Sequence, residues 1–539
     1  MARALAAAVV VPLLAVSTAG GAPAQTPRRG GMVVVALAPD NEPACLRVWA
    51  PECASSGLWP TKVLAYPFTP GPEGWRPGLA SGYVLGTRPF TVTYHLRPEA
   101  RWSDGTRVSA QDFVFARSTY LKHGAVPDPA VRALASDDPF RTVIRRVVAV
   151  DSRTVRFVFR RPYGNWRSLL FFPPLPHHAL EGEDLSSVWR DRVDNPKTAR
   201  PIASGPFHVG QWERGKQVAL VRNTRYWGPH PSHLDRVIVR FVRVDLIDDA
   251  LRSGDVDLGL PRTGIEDFQR DPRLKPFFTL NPGWEHLEFR VSAGGHPALR
   301  NKVVRRALAY GIDRVALVAL LFPELERPRP LDNTFYVPAE RGYAPNWSRY
   351  RYRPGEARRL LEQAGCRRGD DDVYVCSGRR LQLRFATTAG SPQRERALAL
   401  IQTQLLRAGV EVQPAFATPS ALFEQLLPTG NFDVALFRWL FKLAPQEVES
   451  PYRCGGDRNF SGWCSRLFTA DVNDLERMIR PERRAVVANR ADRRLVRDVP
   501  VLPLFQPLNA NFARRNLHGL VPNTFGALLW NAEDWWLER

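Results

Sequence analysis

The chain has 539 residues, 44% of them hydrophobic and 24% charged, with a formal net charge of +21 carried mostly by arginine. This length exceeds one ordinary domain, and the composition is globular, which excludes a disordered or low-complexity protein. The arginines are scattered from Arg28 to Arg539 without a long basic run or a nucleic-acid motif, so the charge reads as solvated surface and excludes a dedicated nucleic-acid interface.

Met1–Ala24 predicts an export signal. Arg3 supplies a positive start, Ala4–Val16 an apolar run, and Ser17–Ala24 small residues for cleavage. The run is too short for a stable membrane span, and no later segment is long and apolar enough for one. The mature chain is therefore expected outside the cytoplasmic membrane. Six cysteines fall into three close pairs, Cys45 with Cys53, Cys366 with Cys376 and Cys454 with Cys464. An even number in an exported chain predicts disulfides. Spacing leaves the connectivity open, but each pair brackets a loop, which favours local pairing. No zinc-ligand spacing accompanies these cysteines, so no metal is expected.

Met32–Leu37 reads as a buried strand. Leu58–Tyr66 reads as a short helix or strand, and Tyr83–Arg97 as a hairpin whose second arm alternates clearly. In Arg101–Leu121, RWSDGTRVSAQDFVFARSTYL, Asp104-Gly105 is a turn, Ser109 an N-cap and Asp112 an acid at the positive end of a helix. That capping role accounts for both acids without general acid–base catalysis. Val143–Arg160 alternates as strands. Pro173–His178 is a proline-rich turn ending in His177 and His178, read as packing and not as a metal pair. Ala203–Arg240 follows, with a Ser204-Gly205-Pro206 turn, two strands around Gly215 and an aromatic pair, Tyr226 and Trp227. The remaining chain alternates strands with helices. Strands are expected at Val237–Val242, Leu287–Val291, Leu381–Thr388, Val410–Pro414, Asn431–Trp439 and Val499–Gln506. Helices are expected at Leu246–Leu251, Pro297–Arg314, Tyr350–Gly365 and Arg394–Gly409.

Several of these stretches carry a resemblance as literal strings. Ser204–Arg240 (SGPF…W..G..V.L.RN..YWG…LD.V..R), the WSDG segment, Val303–Arg314, Tyr350–Gly365 and Val499–Gln506 resemble, in order and spacing, the family 5 extracellular solute-binding proteins. These are the peptide, dipeptide and nickel type receptors of ABC importers. The resemblance implies an α/β fold of two lobes, with an additional domain inserted in lobe one and a ligand cleft between the lobes. Carried over, 25–60, 196–285 and 500–539 would form lobe one, 61–195 the inserted domain and 286–499 lobe two. It implies a small solute or peptide-like ligand, ABC permease subunits as partners, a monomer, no cofactor and no enzymatic activity. A receptor that signals to a membrane partner without transport is the alternative. Many such receptors in Gram-positive bacteria carry a lipid-anchor cysteine at the signal cleavage site; this signal has none, which departs from that pattern and leaves membrane tethering open, and the chain is expected in the periplasm or in the extracellular cell envelope.

Peptide-binding relatives often carry W-x-x-D after a central strand, where the acid pairs with the ligand's amino group. Here Trp439 is followed by Lys442 at the matching position. A cation there repels an ammonium group and attracts a carboxylate or phosphate, at several kcal/mol in a low-dielectric cleft on the order-of-magnitude scale. The resemblance places Arg438, Trp439, Lys442, Asn459 and Trp463 near the ligand. Trp284, Glu285 and His286 join them where the chain crosses into lobe two.

Overall fold

The computed structural model describes residues 27–50, 53, 60–72, 74–123, 139–261, 264–439, 450–525 and 527–538. The export segment 1–24 and Lys442 lie outside the described residues. Alternating apolar positions build three principal sheets. The largest has seven strands in the order Phe207–Glu213, Gln217–Arg222, Arg236–Phe241, Met32–Leu37, Leu258–Gly259, Leu508–Arg514 and Leu274–Leu280. The second has five, in the order Glu411–Ala417, Gln382–Thr388, Val434–Trp439, Trp284–Phe289 and Val501–Phe505. A four-stranded antiparallel sheet joins Ala80–Thr87, Phe90–Leu96, Thr154–Phe159 and Ile144–Asp151.

The five-stranded sheet and its helices enclose one hydrophobic core, from Trp284 through Trp347 to Phe505. A second core runs from Val33 and Trp49 through Tyr94 and Trp102 to Trp535, and it holds the four-stranded sheet and one face of the seven-stranded sheet together. Two cores make two lobes, with the additional sheet packed into the first. The chain leaves lobe one at Leu280 and enters lobe two at Trp284, then returns between Phe505 and Leu508. The two crossings are bonded to each other: Asn281 N–H donates to Pro507 O (2.8 Å), and Gln506 Nε2 donates to Asn281 O (3.0 Å). Two short, adjacent linkers of this kind form a hinge between rigid bodies.

The three cysteine pairs form the expected local disulfides, with Cα–Cα separations of 4.7, 4.3 and 4.6 Å. The Ser204-Gly205-Pro206 turn is architectural. Ser204 Oγ accepts from Ala65 N–H (2.9 Å), and Asn223 Nδ2 and Trp227 Nε1 donate to the carbonyls of Gly205 and Ser204, each at 2.9 Å. A Cβ on Gly205 would lie 2.4 Å from Lys62 O, so this approach admits only glycine.

Two local expectations differ from the structure. The expected Pro297–Arg314 helix is not one helix: Pro297–Arg300 is a separate 3-10 turn that ends at Asn301. A helix spans Lys302–Tyr310, the chain turns at Gly311, and Asp313 caps a second helix, Arg314–Leu321, by accepting from Val315 and Ala316 N–H (3.1 and 2.9 Å). At the Ala110–His123 helix only half of the Ser109–Asp112 capping pair forms: Asp112 Oδ2 accepts from the N–H of Ser109, the residue before the helix (2.9 Å), and from Trp102 Nε1 (3.2 Å), while the Ser109 hydroxyl makes no hydrogen bond among the described residues. Asp112 Oδ1 also meets His177 Nδ1 at 2.6 Å, while Asp104 meets His178 Nε2 at 2.8 Å. Both histidines thus tie the proline-rich turn to the helix start. Among the described residues, no helix is long and apolar enough to cross a membrane, and no group of three or more His, Cys, Asp or Glu is placed to hold a metal ion.

Candidate binding site at the crossing edge of lobe two

Strand Gln382–Thr388 runs parallel to Val434–Trp439, and Trp284–Phe289 runs antiparallel to the latter. Thr388, Trp439 and Trp284 therefore share one end of the sheet, beside the hinge. Ligands of open α/β sheets bind outside the carboxyl ends of parallel strands. Trp284 pairs with Trp439, Glu285 with Arg438 and His286 with Phe437. Alternation places Trp284, His286, Glu288, Phe437 and Trp439 on one face, and Glu285 and Arg438 on the other.

The first face is aromatic over a polar floor. The His286 ring lies 4.6 Å from that of Trp284 and 4.4 Å from that of Phe437, and Trp439 stacks on Phe460 at 5.9 Å with 10° between the planes. Beneath them, His286 Nε2 is 3.4 Å from Glu288 Oε2, Tyr452 Oη donates to that same oxygen at 3.4 Å, and Trp439 Nε1 donates to Tyr452 Oη at 3.3 Å. His286 and Glu288 are both fully buried. Burial penalises their charged forms: it pushes His286 down to about 3 and Glu288 up to about 8, against weaker opposing hydrogen bonds.

A pH prediction follows from these two directions. His286, depressed in the folded state, contributes stability above its unfolded value near 6.5 that is lost as pH falls toward about 3. Glu288, raised in the folded state, contributes stability below its unfolded value near 4.5 that is lost as pH rises toward about 8. The two slopes oppose each other between 4.5 and 6.5, where a stability plateau is expected. Above it, lobe two should lose on the order of 1 kcal/mol per pH unit up to about pH 8. Glu288→Gln is expected to abolish that upper decline in urea unfolding measured across pH, and an unchanged slope would reject the assignment.

The second face is ionic. Glu285, 1% exposed, accepts from Arg394 Nε (3.2 Å) and Nη2 (3.0 Å) through its two oxygens and from Arg438 Nε (3.0 Å). Arg394 also donates to Thr388 Oγ1 at 2.7 Å. It lies in the first turn of the Pro392–Arg407 helix, and with Arg438 it sets two guanidinium groups against one carboxylate. The local balance is positive, and both arginines are partly exposed.

Of the residues singled out by sequence, the structure brings Trp284, His286, Arg438 and Trp439 together at this edge. Asn459 and Trp463 serve the neighbouring loop. Asn459 Nδ2 donates to Arg453 O (2.8 Å) and Trp463 O (2.6 Å), and Trp463 packs on Phe468 at 5.2 Å. Lys442 is outside the described residues. Glu285, which the sequence places beside Trp284 and His286 at the crossing, is the carboxylate of the ionic face, whereas sequence reading missed Glu288, Arg394 and Tyr452. Glu288 lies two positions beyond His286, on the same face of the strand as Trp284 and His286, which was the available signal.

Comparison with known proteins places the site in context. The family described as bacterial extracellular solute-binding proteins, family 5 Middle, matches residues 74–461. The oligopeptide-binding protein OppA of Mycobacterium tuberculosis is 27% identical over 430 residues, covering 78% of this chain and 70% of that protein. The di/tripeptide-binding protein 2 of Pseudomonas aeruginosa is 22% identical over 469 residues, covering 84% and 85%. Among solved structures, the periplasmic EDTA-binding protein EppA superposes with a TM-score of 0.77 at 20% identity, covering 96% of this chain and 98% of that one. NikZ from Campylobacter jejuni in complex with Ni(L-His) gives 0.70 at 19% identity, covering 94% and 99%.

Proposed function

Because this chain belongs to family 5 of the bacterial extracellular solute-binding proteins, we propose that it is an exported receptor that closes its two lobes on a small solute and delivers it, without catalysis, to the permease subunits of an ABC importer. The observation that carries this reading is the double crossing at Asn281–Gly283 and Gln506–Pro507, where two bonded linkers join two separately packed cores. Bodies joined in this way can move against each other while each core stays intact. We divide them as lobe one from 25–60, 196–280 and 508–539, the additional domain from 61–195, and lobe two from 284–505, because strands Trp284–Phe289 and Val501–Phe505 belong to the lobe-two sheet and move the expected bounds of 285/286 and 499/500 to the crossings.

The ligand we favour carries an anionic group. Arg394 and Arg438 against the single carboxylate of Glu285 leave an excess of positive charge beside the strand ends, and the sequence adds a cation, Lys442, three residues after Trp439. A chelator rich in carboxylates, of the kind named for the EDTA-binding relative, suits such a site better than a peptide held by its free amine. The aromatic face of Trp284, Trp439 and Phe460 would cover the ligand's apolar part.

Native mass spectrometry of the purified mature protein should detect a co-purifying small anion. Calorimetry on the refolded, emptied protein should then return its affinity, and small-angle scattering should show contraction on binding. Tight binding of peptides that requires a free N-terminus would overturn the anionic reading. Absence of any ligand-induced contraction would overturn the receptor reading. Lys442→Asp is expected to weaken an anionic ligand by about tenfold or more, the effect of changing one close charge pair.

A further inference from the structure

We propose that the Arg161–Asn165 turn of lobe one is a latch that clasps the C-terminal end of a lobe-two helix and holds the two lobes shut. It concerns the closed state itself and holds whichever solute is bound.

The turn leads from strand Thr154–Phe159 into the short helix Trp166–Leu169, and Trp166 and Leu169 anchor it in the lobe-one core. Opposite it, the Arg466–Arg477 helix ends and the Pro481–Asp498 helix begins, both packed in the lobe-two core. The last carbonyls of any helix lack intrahelical partners. Here Gly164 N–H donates to Glu476 O at 2.5 Å and supplies one. In return, Arg484 Nη1 donates to Gly164 O at 2.8 Å and Nη2 donates to Asn165 Oδ1. Arg484 is 5% exposed, so a buried lobe-two guanidinium takes hydrogen-bond partners from lobe one. Arg161 adds an ion pair with Glu476 at 3.6 Å, and Ile479 packs against the lobe-one core.

The approach is close enough to require glycine. A Cβ on Gly164 would lie 2.5 Å from Met478 O and 2.8 Å from Leu475 O, both backbone atoms that cannot turn aside. No residue of this contact belongs to the Asn281 and Gln506 crossings. Swinging the lobes apart about the hinge would break it and return Gly164 N–H and the Arg484 guanidinium to water. Its hydrogen bonds therefore stabilise the closed form relative to the open one, and they set a barrier to release that is independent of ligand contacts.

The test uses the full mature protein without added ligand, comparing wild type with Gly164→Val and Arg484→Met by small-angle scattering, amide hydrogen exchange and thermal unfolding. Both variants are expected to keep the wild-type melting temperature within a few degrees, to scatter with a larger radius of gyration, and to exchange the amides of 164–166 about tenfold faster or more, as lost hydrogen bonds between otherwise intact bodies imply. Unchanged scattering and exchange in both folded variants would overturn the latch. Should Gly164→Val fail to fold, Arg484→Met and the wild-type protein decide alone: wild-type amides at 164–166 exchanging at the rate of a free loop would overturn it, and protection lost in Arg484→Met would support it.

Discussion

Arg314→Ala is expected to destabilise lobe two by about 3–5 kcal/mol, the range for breaking a buried, hydrogen-bonded ion pair. The Arg314 side chain is 3% exposed and lies in the first turn of its helix. Its Nη1 donates to Leu331 O (3.0 Å) and Pro503 O (3.1 Å), and its Nη2 to Asp332 Oδ1 (2.8 Å), Trp347 O (2.9 Å) and Tyr350 O (3.3 Å). One guanidinium thus ties a helix, the long 331–350 connection and the strand that returns through the hinge. Alanine would leave four carbonyls and a carboxylate without this donor, in a site whose burial already pushes Asp332 up and Arg314 down. Lysine should not rescue it, because a single ammonium cannot reach acceptors spread around a planar fork. Urea unfolding followed by far-UV circular dichroism checks this; a loss under about 1 kcal/mol would remove Arg314 from the role of hub.

The IDR string that contains Arg314 was visible in the sequence, and so was much of the scaffold around it. Met32–Leu37 alternates too little to be anything but a buried strand, and it forms one with those bounds. The Phe90–Leu96 arm and the hairpin around Gly215 followed from period-two alternation and turn chemistry. Local pattern was less able to place breaks. Val303–Arg314 keeps helical spacing through Gly311, so the turn there shows only once Asp313 is seen capping the next helix. The site was legible in half. The aromatic and basic residues read near the crossing, Trp284, His286, Arg438 and Trp439, fall on two paired strands. The partners that give them chemistry are far apart in sequence: Glu285 meets Arg438 and Arg394 across 153 and 109 positions, and Glu288 meets Tyr452 across 164. Side-chain pairing at that separation depends on sheet register, which residue order alone does not supply.

Glu285→Ala is the complementary expectation at the site itself, a loss of about 3–5 kcal/mol with a salt dependence opposite to that of the wild type. In the wild type one buried carboxylate holds two guanidinium groups, and in the variant those groups face each other across the vacated space. Glu285→Gln keeps the shape and one acceptor oxygen and should lose less. The double variant Glu285→Ala/Arg394→Met should recover a large part of the loss, because it removes a cation along with its partner; the coupling measured by that cycle isolates the pair from the packing change. Added salt should stabilise Glu285→Ala by screening the repulsion, and a small multivalent carboxylate should raise its melting temperature further by occupying the gap as a surrogate for the lost side chain. If the single variant loses less than about 1 kcal/mol, or if the double variant is no more stable than the single, the carboxylate is not what holds Arg394 and Arg438 at the strand ends. The excess positive charge would then need another origin before an anionic solute could be assigned to this edge of the sheet.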